Sequence, residues 1–174
     1  MSIKVPVTDA EVAYCHIFGA LRSAVNQCAN IRDNALGNQD KVALNIQGLI
    51  AEIAFAKQFN LYPDVLLFPR KGGCDGIIKM TRDGKDYSVR YDIKSTPYPT
   101  GHLTSNLNYN ENVDIYILGI IYPYLVDFVG FAKKTELIME SNIDNLKFKD
   151  TYCLPQDKLR PIEDLFKCPI PSPV

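Results

Sequence analysis

The chain has 174 residues, of which 47% are hydrophobic and 22% charged, and a formal net charge of −1. That length can bury a sizeable core in one domain, and the composition excludes a disordered chain. The near-neutral balance also excludes a broad basic coat for nucleic acid, so any such binding needs a local patch or metal ions.

The first predicted element is a helix opened by Thr8-Asp9-Ala10-Glu11, a capping-box pattern. It is expected to run to about Leu36, with Val12, Ile17, Leu21, Val25, Cys28 and Ile31 near helical spacing. Gly37-Asn38 stops it, and Asn38 or Asp40 can cap a second helix from about Lys41 to Phe59. Between Val42 and Ala56 that helix has only Asn45, Gln47 and Glu52 as polar residues, so it should lie inside the domain against a sheet. A short strand is expected at Leu66–Phe68, before the turn-rich run Pro69 to Gly73.

Residues 76–91 then read as two strands joined at Asp83-Gly84, a strong two-residue hairpin signal. Counting outward from that turn places Arg82 opposite Lys85 and Asp75 opposite Asp92. Directly opposed residues have Cβ atoms about 4.5–5.5 Å apart, close enough for two carboxylates to share a cation. Lys94 follows Asp92 by two and shares its face. The opposite face, with Ile78, Met80, Tyr87, Val89, Tyr91 and Ile93, is a core face. Residues 95–112 form a long polar connection of a kind that is often functional. Val113–Tyr122 and Leu125–Ala132 are strands turned at Pro123-Tyr124, and Lys134–Glu140 is a short helix. Beyond Thr151 the chain is proline-rich; residues 155–174 are expected to be a Pro-rich C-terminal tail, with 169–173 extended or disordered.

Five widely spaced cysteines without a Cys-x-x-Cys pair, and two histidines, argue against zinc and for a reducing, cytoplasmic setting. The N-terminus has no signal-type apolar run, and nothing approaches the roughly 18 apolar residues of a membrane span.

Glu52 belongs with the hairpin acids. Gly48, Leu49, Phe55 and Ala56 surround it on its helix, so its burial demands a partner: a metal ion, a lysine or backbone amides. The order helix-Glu52, Asp75, Asp92-Ile93-Lys94 resembles the PD-(D/E)XK nuclease superfamily over roughly Gln47 to Ser95. Cys74 stands where that family usually has proline. The resemblance implies an α/β fold with a restriction-endonuclease-like core, a central mixed sheet of four to five strands flanked by helices. It implies one nuclease-like domain over 1–174, with the N-terminal helix in 1–40 and the catalytic core in 41–140. It implies metal ligation by Asp75, Asp92, the Ile93 carbonyl and Glu52, directly or through water, with Lys94 orienting water or stabilising phosphorane charge. The cofactor would be Mg²⁺, with Mn²⁺ able to substitute, and one ion or two is left open. The expected function is a divalent-metal-dependent nuclease, foremost a DNA endonuclease, with a homodimer suited to cutting both strands. The alternative is a non-catalytic nucleic-acid-binding or assembly protein that keeps the fold.

Two blander readings stand beside it. Asp75 can simply begin a turn while Asp92 and Lys94 pair on a solvated face, and Glu52 can be a structural acid paired with Lys94 or Arg90. Further nucleic-acid contacts are expected from Arg70 and Lys71 in a glycine-rich turn, from Tyr98, and from His102, with Tyr109 a further stacking residue or loop fastener.

Overall fold

A computed structural model describes residues 2–31, 40–68, 73–82, 84–146 and 149–167. Its centre is a mixed five-stranded sheet in the order β1-β6-β5-β3-β2. The strands are β1 (Ile3–Pro6), β2 (Gly76–Arg82), β3 (Lys85–Thr96), β5 (Ile115–Tyr122) and β6 (Leu125–Lys133). All neighbours are antiparallel except β3 and β5. A second, three-stranded sheet has the order β4-β8-β7, from β4 (Leu103–Asn106), β7 (Ile143–Leu146) and β8 (Lys149–Leu154). The α/β class and the mixed sheet flanked by helices are as expected. Among the described residues, no helix is long and apolar enough to cross a membrane.

Helix α1 (Asp9–Cys28) begins as its sequence dictates. The Thr8 hydroxyl accepts from the Glu11 amide at 3.2 Å, and the Glu11 carboxylate accepts from the Thr8 amide at 2.7 Å. It stops well before Leu36, at Ala29 and the left-handed Asn30. Its buried stripe is also not the expected one. Cys15, Gly19 and Ser23 face inward, whereas Ile17 is 67% exposed and Leu21 and Cys28 are also exposed. The reason is close approach: a Cβ on Gly19 would meet Ile46 of the next helix at 2.9 Å, so small residues form the contact. Helix α2 (Lys41–Gln58) is capped by Asp40, whose carboxylate accepts from the Val42 amide at 2.8 Å. As expected it lies against the sheet, chiefly on β3, and buries Leu49, Ala51, Ala54, Phe55 and Ala56.

The hairpin register is the predicted one, from Arg82 opposite Lys85 to Gly76 opposite Tyr91. Gly84 takes φ 71°, a conformation that glycine enters without a steric penalty. The two faces divide as expected. Ile78, Val89, Tyr91 and Ile93 join Phe55, Ile117, Phe128 and Phe131 in the core under α2. Ile77, Lys79 and Ser88 on the other face are exposed. The turn into β6 has Tyr124 at φ 58°.

Several expectations are corrected. Leu66–Phe68 is not a strand, and all three side chains are exposed, since among the described residues no neighbouring strand completes a ladder there. The polar connection 95–112 contains β4, which alternates buried Leu103 and Ser105 with partly exposed neighbours because β8 supplies its hydrogen-bonding edge. The short helix α3 (Lys134–Leu137) ends before Glu140, and a 3₁₀ turn over Glu140–Asn142 follows it. Residues 155–167 are no free tail: Ile162 and Leu165 are buried in the main core, and Arg160 bridges to Phe131 of β6. The proline run 169–173, the Gly37-Asn38 stop and Asp83 lie outside the described residues.

Beyond the main sheet, a smaller core joins it to the second one. Leu103 and Leu154 pack there with Val113, Tyr116, Leu118, Ala132 and Leu137. Consecutive β5 residues thus serve two cores, Ile115 and Ile117 on the α2 side and Tyr116 and Leu118 on the other. Asp92 and Lys94 alternate in the same way with Tyr91 and Ile93, so they face the junction between the two sheets.

Candidate active site

Asp75 sits one residue before β2, and it is not simply opposed to Asp92. The paired ladder ends at Gly76 and Tyr91, and the Asp75 amide donates to the Tyr91 carbonyl at 2.8 Å. Its carboxylate Oδ2 instead accepts from the Ile93 amide at 2.6 Å. Where β2 ends, that buried amide would otherwise lose its partner. The Asp75 carboxylate therefore lies at the end of the ladder, against the backbone of β3. From there it feels Glu52, Asp92 and Lys94 together.

Its acidity reflects that position. Burial, then the negative charges of Glu52 and Asp92, push the Asp75 carboxyl well above the usual carboxylate range, against the opposing pull of the Ile93 amide and Lys94. Lys94 forms an ion pair with Asp92. Burial pulls the Lys94 ammonium down, but Asp92, by charge and hydrogen bond, and Asp75 outweigh it and raise its pKa. The group is therefore a cation throughout the neutral range. Its side chain remains 37% exposed, while the Asp92 side chain is mostly covered. Asp92 Oδ2 itself is buried.

Glu52 is held by Arg22 of α1, whose Nη1 donates to both carboxylate oxygens at 3.1 and 3.2 Å. Arg22 Nη2 donates onward to the Asp64 carbonyl at 2.9 Å. The expected partners Lys94 and Arg90 are engaged with other acids: Lys94 with Asp92, and Arg90 with Asp114 at 2.8 Å. Arg22 lies far from Glu52 in the chain, and nothing local in its sequence marks it.

The structure thus gathers Glu52, Asp75, Asp92 and Lys94 around the end of the β2–β3 ladder. Ile93 contributes its amide to Asp75 and its side chain to the core. Tyr98 is 65% exposed and does not line the cleft. Exposed His102 also lies off the cleft, its Nδ1 3.1 Å from Cys153 Sγ. Arg70 and Lys71 lie outside the described residues.

A cleft of about 560 Å³ opens beside Asp92 and Lys94, between the two sheets. β4 lines it with Thr104, Ser105 and Asn106, and the following loop with Asn108 to Glu111. Val113, Tyr116 of β5, Thr151 of β8 and Gly73 complete its walls. Tyr109 was a stacking candidate, and here it is fastened: its ring meets Tyr152 edge-on at 6.1 Å, with Lys134 Nζ 5.1 Å from its centre.

Does the donor set fit a metal ion? Among the described residues, no three His, Cys, Asp or Glu side chains form a group that could hold one. A three-acid cage is therefore not preformed. Hard carboxylate oxygens on Asp75 and Asp92 still suit Mg²⁺, which commonly takes one or two carboxylates and keeps several waters. The crowding of negative charge that raises the Asp75 pKa is the feature a divalent cation would relieve. By donor type, and not as a preformed group of three, these residues suit such an ion. Comparison with protein-family models, curated proteins and solved structures finds no match to this chain.

Proposed function

We propose that this protein is a divalent-metal-dependent phosphodiesterase of the PD-(D/E)XK nuclease type that cleaves nucleic acid, foremost DNA. The observation that carries the reading is the Asp75 carboxylate, held by the Ile93 amide beside Asp92, Lys94 and Glu52. Burying and crowding acids in this way opposes stability, and a site that works through them has a reason to keep them.

Asp75 and Asp92 would hold Mg²⁺, with Glu52 adding negative charge from α2. When bound, the ion supplies charge for the non-bridging phosphate oxygens and acidifies a coordinated water. Lys94 stays protonated, so it serves as a cation toward the developing phosphorane charge rather than as a proton acceptor. Asp92 keeps that ammonium in place. Arg22 restrains Glu52, limiting how far the helix acid swings toward or away from Asp75.

The test is cleavage of single-stranded, duplex and branched DNA and of RNA with Mg²⁺ or Mn²⁺. Asp75→Ala and Asp92→Ala are each expected to reduce cleavage by about 10³-fold or more. Cleavage unchanged in both variants removes the assignment. A second reading, a non-catalytic nucleic-acid-binding protein on the same fold, draws support from the direct Asp92–Lys94 pair, which satisfies both charges without a metal. Calorimetry with Mn²⁺ separates the two, since only the first requires an ion that Asp75→Ala and Asp92→Ala weaken.

A further inference from the structure

The cleft beside Lys94 has an unusual lining for a phosphate-binding groove. Lys94 is the single cation among its described lining residues, against Asp92 and Glu111. The rest of its polar surface is uncharged: amides of Asn106, Asn108 and Asn110, and hydroxyls of Ser105 and Thr151. Duplex binding draws most of its affinity from several cations on phosphates. Neutral donors and acceptors beside aromatic rings are what read the edge of an exposed base.

One of these groups awaits a partner. The Asn110 side-chain oxygen accepts from the Asn112 amide at 3.0 Å, which commits that oxygen to the loop turn and leaves the amide nitrogen as a donor. That nitrogen is buried and has no hydrogen-bond partner. Tyr116, 2% exposed, has its hydroxyl buried beside that of Ser105. Unpaired buried donors are costly and mark places where a ligand completes the bonding. A volume of about 560 Å³ lies within the roughly 300–1,000 Å³ range of small-ligand pockets.

We propose that this cleft takes one unpaired nucleobase, with the adjoining phosphate at Lys94, so that the substrate is a single strand or a nucleotide turned out of a duplex. The inference rests on the nuclease reading, because that reading puts a phosphate at Lys94. The Asn110 amide bonds the base edge beside the Ser105 and Tyr116 hydroxyls, and Tyr109 is a fixed wall. A base stacked within a duplex cannot present its edge there.

The test is fluorescence anisotropy with a labelled mixed-sequence single-stranded oligonucleotide and the same sequence as a duplex, in Ca²⁺ to suppress turnover. The single strand is expected to bind at least about tenfold more tightly than the duplex, the worth of one or two hydrogen bonds. Asn110→Ala and Asn110→Ser are each expected to erase that preference by about tenfold, the serine version retaining an oxygen for the Asn112 amide. Equal binding of both probes, no binding of the single strand, or wild-type binding by both variants overturns the proposal. Cleavage of the same probes in Mg²⁺ reports separately on the nuclease reading. Selective single-strand binding without cleavage keeps the pocket and removes the nuclease; duplex cleavage without single-strand preference does the reverse.

Discussion

The two faces of β3 are the instructive contrast in this molecule. Tyr91 and Ile93 point under α2 into aromatic and aliphatic packing, where the Phe55 ring meets those of Phe59, Tyr91 and Phe128 at 4.6–5.4 Å. Asp92 and Lys94, between and beyond them, point toward the junction of the two sheets and a polar cleft. The same backbone carries both sets, so hydrogen-bonded ladders do not distinguish them. What differs is the neighbour each face meets: an apolar helix on one side, a short polar strand and an asparagine loop on the other. One face is built for stability, and the other concentrates charge at a cost.

The largest expected effect lies on the packed face. Phe55→Ala should destabilise the fold by about 3–5 kcal/mol, measured by urea unfolding, because a fully buried ring leaves a cavity among three others. A loss below about 1 kcal/mol would mean that this face relaxes freely and the contrast is overstated. Next in size is Lys94→Ala on the charged face. Turnover at saturating Mg²⁺ should fall by about 10²-fold or more while metal affinity is retained. Lost affinity with normal turnover would instead make the lysine a scaffold for the acids.

The smallest effect sharpens the contrast most. Burial and neighbouring acids raise the Asp75 pKa in the folded protein, so between the ordinary carboxylate range and the raised value the folded chain holds a proton that the unfolded chain has lost. Stability from this group is therefore full at low pH and falls as pH rises through that window. Asp75→Asn keeps an oxygen for the Ile93 amide and removes the charge, so it should raise stability above the window and flatten the pH dependence. Above the window a gain of about 1 kcal/mol, roughly 2–4 °C in Tm for a chain of this size, is expected. An unchanged pH profile would show that the crowding of acids carries no cost.

Parts of the site were legible because their causes are local. Asp83-Gly84 between alternating strands determines which residues face one another, and the register from Arg82 to Gly76 follows it. The Asn110 turn was hidden inside a run of polar residues, where nothing distinguishes a committed side-chain oxygen from a solvated one. Arg22 was equally hidden, since a guanidinium on a helix reads as solvent-facing until a distant acid is brought to it. The error on α1 has the same origin. Periodicity marks Ile17 and Leu21 as inward residues, but the contact with Ile46 selects the small residues Cys15, Gly19 and Ser23 because they let two helices come closest.

By itself the chain specified its caps, its hairpin, the alternation that separates Asp92 and Lys94 from the core, and a buried second helix. Each depends on residues a few positions apart, whose relative geometry the backbone alone constrains. The second sheet, the anchoring of residues 155–167 through Ile162 and Leu165, the Arg22–Glu52 pair and the cleft were decided only by tertiary structure. They join segments far apart in the chain, and their short or polar sequences carry no periodic signal until a partner strand or an opposite charge satisfies them.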